Sequence, residues 1–167
     1  MFSDPDMRVL VVEVSELLLS QRKKLVTAES CTGGLISALV TEQAGSSSIF
    51  ERGFVTYSNL AKQTLLGVPL SVLETVGAVS SECAEAMARG ALAHSTAHIA
   101  VSVTGIAGPS GSTSLKPIGL VYIAVATENF CKSREFCFSG SRSEIRAESC
   151  REAFRFLIEH LAPVQTA

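Results

Sequence analysis

The sequence has no tryptophan, only two tyrosines, and few charged residues, since Asp, Glu, Lys and Arg together make up 18% of its 167 residues. Its 14 basic and 16 acidic residues give a formal net charge of −2, so the chain lacks the basic surface that binding to a phosphate backbone requires. The 47% hydrophobic content excludes an extended disordered chain. We therefore expect a single domain over residues 1–167 and no nucleic-acid partner.

The chain also lacks a C-x-x-C pair and a long uninterrupted hydrophobic run. Its five cysteines are odd in number, which is typical of reduced thiols in the cytoplasm rather than of a disulfide framework. Glu13 and Glu16 interrupt the apolar stretch 10–19, and no small-residue cleavage signal follows it. We expect a cytoplasmic protein with no signal peptide, no membrane span and no membrane partner.

Helical and β-prone segments alternate along the chain. Residue periodicity and composition predict helices over 6–22, 35–45, 60–66, 70–76, 80–94 and 141–161, and strands over 25–28, 53–58, 99–103, 120–125 and 129–138. Ser141 and Glu144 have the spacing of a capping box. The strands over 99–103 and 120–125 are continuous apolar runs, typical of strands covered on both faces. We expect an α/β fold, a three-layer sandwich whose mixed, partly parallel central sheet is flanked by helices.

The turn at residues 30–34, Ser-Cys-Thr-Gly-Gly, joins a predicted strand to a predicted helix. Such a turn presents hydroxyls and unpaired backbone N–H groups at a helix N-terminus, where they can bind an anion or support a nucleophile. The alternative is structural, because Ser30 or Thr32 could serve only as the helix N-cap. Spacing alone does not separate the two interpretations.

The other candidate elements are a loop and the histidines. The Gly/Pro/Ser-rich stretch 105–117 lacks the Lys-Ser/Thr ending of a P-loop and the G-x-G start of a dinucleotide fingerprint, although it follows a strand end, where open α/β sheets bind ligands. The histidines, His94, His98 and His160, have no local carboxylate or cysteine cluster, so we expect no metal. No G-x-S-x-G motif surrounds a serine.

Lys62 follows the predicted strand that carries Tyr57 and begins the next predicted helix. This places its amine near the strand ends, where Ser30 also lies. A buried lysine can act as a base because apolar surroundings disfavour the ammonium form. The structural alternatives are a solvated Lys62, a half-buried strand aromatic at Tyr57, and a first-turn surface residue at Arg142.

Six ordered motifs resemble the CinA C-terminal domain of the competence/damage-inducible family: TAESCTGG at 27–34, GFVTYSN at 53–59, GAVS at 77–80, TGIAGP at 104–109, KPIG at 116–119 and FSG-x-R at 138–142. The resemblance spans about residues 6–161, and the family includes stand-alone nicotinamide-nucleotide amidases. It implies hydrolysis of the carboxamide of nicotinamide mononucleotide to nicotinic acid mononucleotide and ammonia. This reaction belongs to the bacterial recycling of pyridine nucleotides (NAD) and needs no cofactor.

The resemblance also implies roles for individual residues. Ser30 would be the nucleophile, Lys62 its partner base, and Tyr57 a further catalytic residue. Substrate contacts are implied for Cys31, Thr32, Gly33, Ser47, Thr104, Gly105 and Arg142. The guanidinium of Arg142 suits the dianionic phosphate of the substrate, and backbone N–H groups around residues 31–33 suit an oxyanion. The chain departs from the family pattern at Ser110 and over 112–115, which concerns substrate detail rather than reaction type.

Two alternatives use the same residues. A non-catalytic regulatory module for pyridine or purine nucleotides would hold a phosphate with the glycine loop and the helix N-terminus, without chemistry. Cys31 could replace Ser30 as the nucleophile, because a helix N-terminus stabilises a thiolate. The resemblance and the frequency of symmetric dimers also lead us to expect a homo-oligomer that binds a small-molecule nucleotide.

Overall fold

The computed structural model describes residues 3–162, which form a mixed sheet of five strands between two layers of helices. The strands are β1 (Leu25–Glu29), β2 (Phe50–Val55), β3 (Ile99–Gly105), β4 (Leu120–Ala126) and β5 (Cys131–Cys137). They lie in the order β2-β1-β3-β4-β5. The strands β2 and β3 pair with β1 in parallel, whereas β4 and β5 are antiparallel to their neighbours. The α/β fold with a mixed, partly parallel sheet is therefore confirmed.

The helices are α1 (Pro5–Ser20), α2 (Leu35–Thr41), α3 (Asn59–Leu66), α4 (Leu70–Thr75), α5 (Ser81–Ala93) and α6 (Arg142–Leu161), and a short 3-10 helix covers Ser46–Ser48. The predicted capping box is confirmed at the start of α6, where the Ser141 hydroxyl accepts from the Glu144 N–H and the Glu144 carboxylate accepts from the Ser141 N–H. None of the helices within residues 3–162 has the length and hydropathy of a transmembrane segment.

The predicted boundaries are least accurate around β2. The sequence predicts a strand over 53–58, but the strand covers Phe50–Val55. The chain leaves the sheet after Val55 because Ser58 is the N-cap of α3, where its hydroxyl accepts from the Ala61 N–H. The predicted helix 35–45 likewise ends early, at Thr41.

The two faces of the sheet differ in the size of their side chains. One face presents large residues such as Leu25 and Ile123 to α1 and α6. The opposite face presents several alanines, including Ala28 and Ala124, to α5. Both sets are fully buried, and small alanine side chains allow α5 to pack close to the sheet.

The carboxyl ends of β1, β2 and β3 meet at one edge of the sheet, where Glu29 is in register with Val55 on one side and Val103 on the other. From β1 the chain proceeds to β2 on one side, whereas β3 lies on the other side, so the strand order reverses at β1. Open α/β sheets form their ligand crevices at such a reversal. The segments that follow these three strands therefore converge on one place.

Candidate active site

Ser30 and Lys62 form a hydrogen-bonded pair at this edge of the sheet. Ser30 directly follows β1, and Lys62 lies in the first turns of α3. Lys62 Nζ donates to Ser30 Oγ at 3.0 Å and to the backbone oxygen of Thr56 at 2.9 Å. Only 8% of Ser30 and 1% of Lys62 are exposed to solvent. The structure thus brings together the two residues for which the resemblance implied the roles of nucleophile and base.

The environment of Lys62 favours an uncharged amine. Burial lowers the pKa of the Lys62 side chain from its ordinary value, because desolvation disfavours the ammonium form. Within residues 3–162, no carboxylate forms an ion pair with Lys62. The interpretation of Lys62 as a solvated surface lysine is therefore wrong. A neutral amine can donate one N–H to Thr56 and keep its lone pair for the hydroxyl of Ser30.

The turn after Ser30 leaves two backbone amides free. The Gly33 N–H donates to the oxygen of Ser30 at 3.0 Å, and the Gly34 N–H donates to the carboxylate of Glu29 at 3.0 Å. The N–H groups of Cys31 and Thr32 form no hydrogen bond with any residue from 3 to 162. A free amide beside a reactive hydroxyl can bind an oxyanion. Of these two residues, Cys31 borders the space in front of Ser30, whereas Thr32 is fully buried. The Gly33 amide, which we expected to belong to this group, is instead used within the turn.

Glu29 caps α2 from the end of β1, a role that the sequence reasoning missed. Its buried carboxylate accepts from the N–H groups of Gly34, Ile36 and Ser37 at 3.0, 3.1 and 2.9 Å, and from Ser37 Oγ at 2.7 Å. The α2 helix has no side-chain cap of its own at Gly34, so Glu29 satisfies its free N–H groups. An acidic residue between an apolar strand and a helix N-terminus is the signal that could have identified it.

A cavity of about 310 Å³ opens in front of the Ser30–Lys62 pair. Segments after all three parallel strands line it, with the residues Ser30, Cys31, Tyr57, Asn59, Lys62, Ala78, Val79, Thr104, Gly105, Ile106, Ala107, Gly108, Ser110, Gly111 and Arg142. The basic residues among them are Lys62 and Arg142, and none of these lining residues is acidic. The lining therefore suits a ligand that carries negative charge. Asn59 is a lining residue that sequence reasoning did not single out.

Arg142 and Tyr57 join two sides of this cavity. Arg142 Nη2 donates to the Tyr57 hydroxyl at 2.7 Å, and its Nη1 donates to the backbone oxygen of Gly108 at 2.8 Å. Tyr57 is 59% exposed and forms no hydrogen bond with Ser30 or Lys62 in the part of the chain that the structure describes. Its hydroxyl lies on the rim, against Arg142, rather than in the buried pair. Arg142 is likewise more than a surface residue of the first helical turn.

The remaining candidate residues divide between the cavity and other places. Thr104 and Gly105 line it as expected, and the Thr104 hydroxyl donates to the oxygen of Ala78 at 2.7 Å. Thr32 is buried and does not reach the lining. Ser47 lies before β2, and because a strand rises about 3.3 Å per residue, the six residues of β2 put Ser47 roughly 20 Å from the cavity. The structure of this chain does not bring Ser47 to Ser30.

Cys31 lines the cavity but is a poor nucleophile. It is 5% exposed, and burial raises the pKa of its thiol to about 12. At neutral pH the group is therefore a protonated thiol, whereas the nucleophilic form is the thiolate. Cys31 also lies three residues before Gly34, the N-cap of α2, so the helix N-terminus expected to stabilise its thiolate is not at this residue.

Comparison with known proteins gives consistent matches over nearly the whole chain. The family described as CinA C-terminal domain matches residues 8–161. A protein of Caldicellulosiruptor saccharolyticus named as competence-damage inducible is 51% identical over 152 residues, which cover 91% of this chain and 37% of that protein. A CinA-like protein of Geotalea uraniireducens is 49% identical over 143 residues, covering 86% of this chain and 34% of the relative. The chain thus spans only about a third of the length of these curated relatives.

Solved structures match over their full length. The competence/damage inducible protein CihA from Agrobacterium tumefaciens superposes with a TM-score of 0.91 at 44% identity, covering 93% of this chain and 96% of that one. The competence damage-inducible protein A from Klebsiella pneumoniae superposes with a TM-score of 0.91 at 36% identity, covering 95% and 99%. Both the sequence and the fold therefore place the chain with the same group of proteins.

Proposed function

The chain belongs to the CinA C-terminal domain family, and from this membership we propose that it is an amidase that converts nicotinamide mononucleotide into nicotinic acid mononucleotide and ammonia. The observation that carries the proposal is the buried Lys62 amine, 3.0 Å from Ser30 Oγ and with a lowered pKa. The reaction assigns the protein to the recycling of pyridine nucleotides.

The first step forms an acyl-enzyme. Neutral Lys62 takes the proton of the Ser30 hydroxyl, and the oxygen attacks the carboxamide carbon of the substrate. The free N–H group of Cys31, a residue that lines the cavity, is the donor available to the resulting oxyanion. The C–N bond then breaks, and the proton held by Lys62 passes to the departing nitrogen, which leaves as ammonia.

The second step returns the enzyme to its starting state. Water gives one proton to Lys62 and adds to the acyl carbon, and the same amide binds the second oxyanion. The bond between the acyl carbon and Ser30 Oγ breaks as Lys62 returns its proton to Ser30. Because one amine serves as base and acid in both steps, its pKa must lie closer to neutrality than that of a free lysine.

Recognition of the phosphate is proposed for Arg142. When Lys62 is neutral, the guanidinium of Arg142 is the remaining positive charge of the cavity lining. A guanidinium fork matches phosphate oxygens in pairs. The bonds that Arg142 now donates to Tyr57 and Gly108 can be shared with the phosphate or exchanged for it, so we propose that Tyr57 acts through Arg142.

The proposal is tested by ammonia release from nicotinamide mononucleotide by the wild-type chain and by Ser30→Ala. The matched control is Ser71→Ala, because Ser71 is exposed on α4 and its hydroxyl forms no hydrogen bond with residues 3–162. We expect turnover by the wild type and the control, and none by Ser30→Ala. Normal turnover by folded Ser30→Ala would overturn the mechanism. Tight binding of the nucleotide by the wild type without product would instead support the regulatory-module alternative.

A further inference from the structure

Arg146 holds the turn that follows Ser30. It lies on α6, one helical turn after Arg142, and is half-buried. Its Nε donates to the backbone oxygen of Cys31 at 3.1 Å, and its Nη2 donates to the backbone oxygen of Thr32 at 2.8 Å. Within residues 3–162, Arg146 forms no ion pair with a carboxylate. Its guanidinium is thus directed at two consecutive carbonyls in the turn.

These two hydrogen bonds fix the direction of the neighbouring amides. In a planar trans peptide, the C=O of one residue and the N–H of the next point in opposite directions. Because the oxygens of Cys31 and Thr32 are both bound to Arg146, the two peptide units after Cys31 and Thr32 are held in one orientation. The free N–H of Cys31 lies in the same turn and belongs to a residue that lines the cavity. The guanidinium therefore fixes the turn that carries a candidate oxyanion donor without touching the cavity, whose lining does not include Arg146.

The turn is built to accept the guanidinium. Gly33 has φ +60°, a conformation that residues with a side chain rarely adopt, and a Cβ atom at this position would lie 3.4 Å from Arg146 Nη2. Thr32 is fully buried, so its carbonyl oxygen needs a partner inside the protein, and Arg146 supplies that partner.

We propose that Arg146 is a positioning residue that holds the turn at residues 31–33, and with it the Cys31 amide, in place for the oxyanion formed at Ser30. The inference rests on the Ser30 chemistry of the proposed function, but not on the identity of the substrate. It predicts that loss of Arg146 lowers the rate of every reaction in which Ser30 attacks a centre that becomes negatively charged. Binding of the ground-state substrate is expected to change little.

The test uses diisopropyl fluorophosphate as well as nicotinamide mononucleotide. In the labelling reaction Ser30 Oγ forms a bond to phosphorus, the P–F bond breaks, fluoride leaves, and Lys62 takes the serine proton. Mass spectrometry of the intact chain gives the labelling rate, with Ser30→Ala as the blank. The variants are Arg146→Met and Arg146→Lys. The control is Arg155→Met, because Arg155 lies on the same helix, is exposed and pairs only with Glu152 in the described chain.

We expect Arg146→Met to slow both labelling and kcat at least tenfold with KM within about twofold, and Arg146→Lys to fall between Met and the wild type. Arg155→Met is expected to react at the wild-type rate. If folded Arg146→Met or Arg146→Lys reacts as fast as Arg155→Met, the inference is wrong. A wild type that is labelled at Ser30 but does not hydrolyse the nucleotide refutes the proposed substrate alone. A wild type that is neither labelled nor hydrolyses the nucleotide refutes both proposals.

Discussion

Lys62 Nζ lies 3.0 Å from Ser30 Oγ although 32 positions separate the two residues in the chain. The contact forms because the parallel strands β1 and β2 end at the same edge of the sheet, and each residue belongs to the segment after one of them. The second partner of the amine is a backbone carbonyl, that of Thr56, rather than a carboxylate. A lysine buried in this way has little to offset the cost of carrying a charge.

The first prediction concerns the basicity of Lys62. A guanidinium stays protonated in proteins and cannot act as a base. Lys62→Arg is therefore expected to lower kcat/KM by about 10²–10⁴-fold, the usual contribution of a general base. For the wild type, kcat/KM should rise with pH through an apparent pKa below 10.5, the ordinary value for lysine. Initial rates of ammonia release between pH 5 and pH 10 measure this profile. A flat profile, or an active Lys62→Arg variant, would rule out the neutral amine.

The second prediction concerns stability and follows from the same pKa. Because the pKa of Lys62 is lowered in the folded chain, the unfolded chain binds more protons at pH values between the folded and the unfolded pKa. The free energy of unfolding contributed by this group therefore rises with pH in that window, by at most about 1.4 kcal/mol per pH unit. We expect the difference in unfolding free energy between the wild type and Lys62→Met to shift in favour of the wild type as pH rises.

Urea unfolding of both chains at pH 6, 7, 8 and 9 measures this difference. Lys132→Met is the matched control, because Lys132 is exposed on the edge strand β5 and forms no ion pair within residues 3–162. Its difference from the wild type should stay constant over the same range. A difference for Lys62→Met that is constant or falls with pH would contradict the lowered pKa.

The elements of the fold could be predicted because their signals are local. The capping box of Ser141 and Glu144 marks the start of α6, and continuous apolar runs mark β3 and β4. The meeting of Ser30 and Lys62 followed from one further rule, that parallel strands end at a common edge. Each of these inferences needs only neighbouring residues or the direction of two strands.

The contacts of the two arginines of α6 could not be predicted in this way. Arg146 is 115 positions away from Cys31, and Arg142 is 85 positions away from Tyr57. Both guanidinium groups donate at least one bond to a backbone oxygen, and a carbonyl is present at every residue, so the partner leaves no mark in the sequence. Resemblance pointed to Arg142 as a substrate contact, but its tie to Tyr57 became visible only in the structure.

The third prediction concerns Glu29. Replacing its carboxylate by an amide in Glu29→Gln removes the charge and puts an NH₂ group where an oxygen now accepts from backbone N–H groups at the start of α2. Breaking a buried hydrogen bond of this kind costs about 1–3 kcal/mol, so we expect a loss of unfolding free energy in that range together with slower turnover. Chemical denaturation measures the loss. The control is Glu128→Gln, an exposed carboxylate, and equal stability of the two variants would contradict the capping role.

The fourth prediction separates Ser30 from Cys31 as the nucleophile. The thiol of Cys31 is buried and its pKa is raised to about 12, so Cys31→Ala should keep kcat within a few-fold of the wild type. A thiol-alkylating reagent at pH 7 should modify Cys137, which is exposed, before Cys31. Peptide mapping follows the modification of Cys137 and Cys31, and ammonia release measured on the same samples follows turnover. Loss of turnover that tracks modification of Cys31 in a folded chain would restore the cysteine mechanism.

The last prediction concerns the rim formed by Arg142 and Tyr57. If Arg142 binds the substrate phosphate, Arg142→Gln removes charge-assisted hydrogen bonds worth about 1.5–3 kcal/mol, which corresponds to an increase in KM of roughly 10–100-fold. The increase should be confined to nicotinamide mononucleotide and absent for nicotinamide riboside, which has no phosphate. Tyr57→Phe keeps the guanidinium and removes only the hydroxyl that accepts from it at 2.7 Å, so its effect should also fall on KM and be smaller. A Tyr57→Phe variant that loses kcat at unchanged KM would instead show that the hydroxyl takes part in the reaction beside Ser30. If Arg142→Gln changes KM equally for the nucleotide and the nucleoside, Arg142 is excluded as the phosphate contact.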